Sequence, residues 1–155
     1  MESDLFVGHI NLSESFNGAG EHFVRLIESL QHLEIKQYIL VRNVALAKRL
    51  DLIEGVTVGP LLRSSVTAYC LMPNVDLVHI HDKKSASAGL LFALTRALPF
   101  VLTKHISLDK GLNPLSQATI DRASGLIDDH QISGNEHLQV YRHALDSLRI
   151  PTMLL

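Results

Sequence analysis

The chain has 155 residues, 46% of them hydrophobic and 5% aromatic, enough for one core and too few for two full domains. With 14 basic against 16 acidic side chains the formal charge is -2, so no basic field draws in nucleic acid or anionic lipid. The single cysteine, Cys70, excludes an internal disulfide framework and paired Cys ligands for zinc, and it fits a reducing, cytoplasmic setting.

Met1 to Leu5 carries Glu2 and Asp4 and no basic stretch, so it does not read as a secretory signal. The first apolar run, Leu5 to Leu12, predicts a strand, and Glu21 to Leu33 predicts an amphipathic helix. Its residues Phe23, Leu26, Ile27, Leu30 and Leu33 recur at three- and four-residue steps. Tyr38 to Val41 predicts a second strand, Val44 to Leu50 a short helix and Val56 to Val58 a third strand. Ser64 to Met72 mixes β-branched and small residues and is ambiguous. Leu77 to His81 predicts the fourth strand, and Ala86 to Leu98, apolar nearly all round, predicts a buried helix ended by Pro99. Phe100 to Thr103 and Gly125 to Ile127 predict further strands, with helices over Leu115 to Ala123 and Asn135 to Leu148. Arg96 and Pro99 interrupt the most apolar stretch, Ala86 to Thr103, so no integral membrane segment is expected.

Short strands, several continuously apolar, alternating six times with helices predict a doubly wound, Rossmann-like α/β domain. About six mainly parallel strands are expected, with helices on both faces. No repeat or linker divides residues 1–155. In this architecture the site lies beyond the carboxyl ends of the strands where their order reverses, between the first and fourth strands. Three loops are therefore candidates.

After the first strand, Gly18, Ala19 and Gly20 precede Glu21. The glycines permit close approach of a ligand, and the helix start offers free N–H groups. Phe23 stands where a dinucleotide fingerprint needs its third glycine, and a Walker lysine is missing. The same residues also read as a plain turn feeding a helix. At the fourth strand's end, alternation puts His79 and His81 on one face with Asp82 in the loop beyond. His79 reads as a packed, hydrogen-bonded histidine and His81 as bordering the cleft, while a metal set is incomplete. The fifth strand ends in Thr103, Lys104 and His105. There an imidazole can hold a hydroxyl or phosphate, and Lys104 can meet an anion.

Taken together, these segments resemble the N-terminal, acceptor-side domain of family-4-like glycosyltransferases of the GT-B architecture. Gly18-Ala19-Gly20-Glu21 running into Phe23-Val24-Arg25-Leu26-Ile27 resembles that family's glycine loop and first helix. Asp76-Leu77-Val78-His79-Ile80-His81-Asp82 is similar to its Asp-Val-Val-His-x-His segment, and Phe100-Val101-Leu102-Thr103-Lys104-His105 to its strand ending Thr-x-His. Asp121-Arg122-Ala123-Ser124-Gly125-Leu126-Ile127 is similar to its Arg-Ala-Asp-x-x-Ile segment. Asp128-Asp129-His130-Gln131 departs from the small hydroxyl residues the family carries there.

The resemblance implies transfer of a hexose, with retention, from a nucleotide-diphosphate sugar to a glycan or lipid-linked acceptor in cell-surface polysaccharide or lipopolysaccharide synthesis. It implies no cofactor and no required metal. His105 would be catalytic, and Gly18, Ala19, Gly20, His81, Asp82 and Lys104 would bind substrate. The family's donor-binding C-terminal domain is absent from residues 1–155, so donor and acceptor are expected to bind together only with that half, in cis or on a partner chain. The chain alone is expected to be inactive, cytoplasmic or peripheral at the inner membrane face. Three alternatives stay open: a non-catalytic Rossmann-like binding or interaction module, a metal-dependent hydrolase built on His79, His81, Asp82 and His105, and a phosphoacceptor receiver domain. Ile10-Asn11-Leu12 stands where the last needs an acidic pair.

Overall fold

The computed structural model describes residues 5–14, 18–104, 123, 125–128 and 134–153. Six strands form one sheet: β1 (Phe6–Asn11), β2 (Lys36–Val41), β3 (Val56–Val58), β4 (Leu77–Ile80), β5 (Phe100–Lys104) and β6 (Gly125–Asp128). Their order is β3-β2-β1-β4-β5-β6, and every pairing is parallel. The order reverses between β1 and β4, as the sequence predicts for a Rossmann-like domain.

Alternation along the strands sorts the side chains between two cores. Ile10, Leu40, Val78, Ile80, Phe100 and Leu102 pack with Ala68 of α3 (Ser65–Leu71) and with Ala88 and Phe92 of α4 (Ala86–Arg96). On the opposite face Val7, Leu77 and Val101 meet Leu26 and Leu30 of α1 (Gly18–His32), and Tyr141 and Ala144 of α5 (Gly134–Met153). Ile39 and Val41 on that face pack with Leu46 and Leu50 of α2 (Val44–Asp51). Strands covered on both sides need apolar residues at every position, which is why the runs are continuous. Gly89 brings α4 close to the sheet, since a Cβ there would lie 2.7 Å from the Phe100 ring.

Several boundaries differ from the sequence reading. The segment Ser64 to Met72 resolves as helix because the Ser64 side chain caps it, accepting from Thr67 N at 3.2 Å. Helix α4 stops at Arg96, before Pro99: Ala97 turns left-handed with φ 49° and returns its N–H to Phe92 O. Helix α1 begins at Gly18, three residues early, so Gly18, Ala19 and Gly20 form its first turn instead of a loop. The predicted helix over Leu115 to Ala123 lies outside the described residues except for Ala123, which is not helical. No helix among the described residues is long and apolar enough to cross a membrane.

Candidate functional site

The carboxyl ends of β1 and β4 bring three histidines together on the α1/α5 face. His9 is the register partner of His79, and His81 follows on the same side one pleat later. All three are buried. His9 Nδ1 lies 2.9 Å from His81 Nε2, and His9 Nε2 lies 3.0 Å from Gln37 Oε1. The Gln37 amide donates in turn to the Ile27 carbonyl of α1 at 3.1 Å. His79 Nδ1 is 2.6 Å from the Tyr141 hydroxyl and its Nε2 is 2.7 Å from Thr103 Oγ1. His79 is thus the packed, hydrogen-bonded histidine expected of it. The Phe23 ring packs T-shaped against His81, centroids 4.5 Å apart, and buried His137 lies next to Tyr141 and His79.

Burial makes charge in this cluster expensive, so His9 and His79 are held neutral. Desolvation lowers the His9 pKa from 6.5 to about 3, against a raising effect of the Gln37 hydrogen bond, and His137 lowers it further. Burial likewise holds His79 well below its ordinary value, with His9 and His137 adding repulsion. Burial raises the Tyr141 phenol well above its ordinary value.

Neutral imidazoles are the form that binds metals, and His9, His79 and His81 each offer a nitrogen within 4.8 Å of the others. The donor directions do not fit an ion, however. His9 spends one nitrogen on Gln37 and the other on His81, and both nitrogens of His79 are engaged by hydroxyls. The cluster is a hydrogen-bonded network.

At its rim stands Asp82. Its Oδ1 accepts from Leu12 N at 3.0 Å and from the Ser85 hydroxyl, tying the end of β1 to the 3-10 turn Lys83–Ser85. Its Oδ2 is buried and has no hydrogen-bond partner among the described residues. Nearby, Glu14 Oε1 meets Arg42 at 3.1 Å and Lys84 at 3.4 Å. Asn43 caps α2 by accepting from Leu46 N at 2.9 Å while donating to the Glu14 carbonyl at 2.7 Å, so the loops after β1, β2 and β4 are joined at this edge.

Of the residues singled out from sequence, His81 and Asp82 lie together just beyond the carboxyl end of β4. Gly18, Ala19 and Gly20 open α1, and Lys104 ends β5 in register with Asp128. His105, the catalytic candidate, lies outside the described residues. Sequence reading missed His9, Gln37, His137 and Tyr141. Strand parity was the available signal for His9, which shares the odd-numbered face of β1 with Val7. For His137 and Tyr141 it was the four-residue spacing, which puts both on one face of α5.

No family model matches the chain, and no curated protein matches it. Among solved structures, it is similar to the glycosyltransferase GlyE of Streptococcus pneumoniae TIGR4. The TM-score is 0.53 and the sequence identity 16%, over 92% of this chain and 34% of that one. The likeness is one of fold. It places this α/β sheet alongside part of a glycosyltransferase, and the chain spans 34% of that protein's length.

Proposed function

We propose that the chain is the acceptor-side half of a GT-B-type glycosyltransferase, related to family 4, in which a second domain or polypeptide supplies the donor site. The reading rests on one observation above the rest. At the point of strand reversal, where doubly wound sheets bind ligands, Asp82 carries a buried carboxylate oxygen with no donor among the described residues. Beside it His81 directly follows β4. An acceptor sugar presents hydroxyls, which are the donors such an oxygen lacks.

In this reading the start of α1 at Gly18, Ala19 and Gly20 faces the transferring group, Lys104 stabilises the departing diphosphate and His105 holds the reacting hydroxyl. The hexose comes from a nucleotide-diphosphate sugar with retention, the acceptor is a glycan or lipid-linked saccharide of the cell surface, and the work is done in the cytoplasm at the inner membrane face. The chain's own residues orient the acceptor and exclude water.

Calorimetric titration of the chain with saccharides and with uridine and guanosine diphosphate sugars tests this. Saccharide binding that Asp82→Asn weakens by about tenfold, with no submillimolar binding of the nucleotide sugars, is the expected result. Submillimolar nucleotide-sugar binding would overturn the acceptor-half assignment. Absence of saccharide binding would favour the second reading, a non-catalytic interaction module on the same fold.

A further inference from the structure

The hydrogen bonds that join α5, β4 and β5 run in one direction. Tyr141 is fully buried and burial raises its phenol well above the ordinary value, so its hydroxyl keeps a proton that needs an acceptor. Among the described residues its hydrogen-bond partner is His79 Nδ1, 2.6 Å away. That nitrogen must therefore be bare. Burial also holds His79 neutral, and a neutral imidazole carries one ring proton. The proton sits on Nε2 and is donated to Thr103 Oγ1 at 2.7 Å. Turning the ring over would set carbon atoms against both hydroxyls, so the orientation of the ring is fixed as well.

The chain of bonds passes from the interior to the surface. Tyr141 and His79 are fully buried, whereas Thr103 is partly exposed and stands one residue before the end of β5, at the carboxyl edge where doubly wound sheets bind ligands. We propose that Tyr141 and His79 are positioning residues for Thr103: they commit its oxygen to accepting from the protein and leave its hydroxyl proton to be donated to an oxygen of a bound saccharide. Were the bonds reversed, Thr103 would spend that proton on His79 Nε2, and the buried Tyr141 hydroxyl would be left without an acceptor. Tyr141 packs with Val7, Leu77 and Val101, which holds the start of the chain in place. Choosing a saccharide oxygen rests on the glycosyltransferase reading; the direction of the bonds does not.

The test combines a long-range proton–nitrogen correlation spectrum of the full chain, with 15N-labelled histidine at neutral pH, and calorimetric titration with saccharides. The expected spectrum shows His79 protonated at Nε2 only and a Tyr141 hydroxyl proton that is protected from exchange and coupled to His79 Nδ1. Tyr141→Phe should remove that proton and move the Nδ1 resonance toward that of a nitrogen without a hydrogen bond. Thr103→Val, which keeps the branched shape and loses the hydroxyl, should weaken saccharide binding by about tenfold, and Thr103→Ser should retain it. A proton on His79 Nδ1 in the parent chain overturns the proposal, and that result requires no variant to fold. Saccharide binding that Thr103→Val leaves unchanged also overturns it, while the glycosyltransferase reading stands. A chain with the expected spectrum that binds no saccharide would refute the saccharide ligand and the glycosyltransferase reading together, leaving the direction of the bonds established.

Discussion

The imidazole rings of His79 and His81 lie stacked, centroids 3.8 Å apart and planes 29° from parallel. A metal ion sits in the plane of each ring that ligates it, along the nitrogen lone pair. Lone pairs of two stacked rings run side by side and do not converge on one point. Closeness of the three histidines is therefore a product of packing and hydrogen bonding.

It follows that adding one equivalent of zinc should leave the ring resonances of His9, His79 and His81 in place and the melting temperature within about 1 °C, whereas a bound ion would raise it by several degrees. Shifts of all three rings at stoichiometric zinc would show that the cluster reorganises into a metal site.

Acid should destabilise the fold earlier than carboxylate titration does. Above pH 6.5 His9 is neutral whether folded or not and has no effect on the balance. Below it the unfolded chain gains a proton that the folded chain, with His9 at about 3, does not. Stability therefore falls as pH drops from about 6.5 toward about 3, by up to ~1.4 kcal/mol per pH unit for such a group, and His79 acts in the same direction. Urea midpoints measured between pH 7 and pH 5 should fall steadily, and His9→Gln should flatten the slope. A pH-independent midpoint in that window would contradict the buried neutral state.

Much of the fold was readable because parallel sheets leave a local mark. The runs Leu77 to Ile80 and Phe100 to Leu102 are apolar at nearly every position, since both of their faces are covered. Helix ends were less legible because the deciding groups are backbone atoms: the turn at Ala97, two residues before Pro99, is closed by its bond to Phe92 O. The site was only half visible. His81 and Asp82 stand out at a strand end, but the partner of His81 is 72 residues away, and the register of β1 against β4 that joins them is a tertiary fact. Gln37 has no local signature at all. Its role depends on a carbonyl of α1 above the sheet.

Two left-handed residues offer a simple gain in stability. Glu34 (φ 61°), just after α1, and Ala97 (φ 49°), just after α4, hold a conformation that glycine adopts without the Cβ penalty. Glu34→Gly and Ala97→Gly should each stabilise the chain by about 0.5 to 1 kcal/mol in denaturant unfolding. Equal or lower stability in both variants would mean that the added freedom of the unfolded chain outweighs the relieved strain.

Asp82 has two oxygens with two jobs, and substitutions should separate them. Its Oδ1 anchors Leu12 N and the Ser85 hydroxyl, which holds the loop after β1 against the turn after β4. Asp82→Asn keeps a carbonyl oxygen for that anchor and turns the other oxygen into a donor. Stability should therefore change by less than about 1 kcal/mol, while binding of hydroxylated ligands weakens by about tenfold. Asp82→Ala removes the anchor as well, leaving Leu12 N without its acceptor at a cost of about 1 to 3 kcal/mol. Chemical denaturation and saccharide titration of both variants check the separation: if Asp82→Asn unfolds as readily as Asp82→Ala yet still binds saccharide, Oδ2 serves the fold and not the ligand.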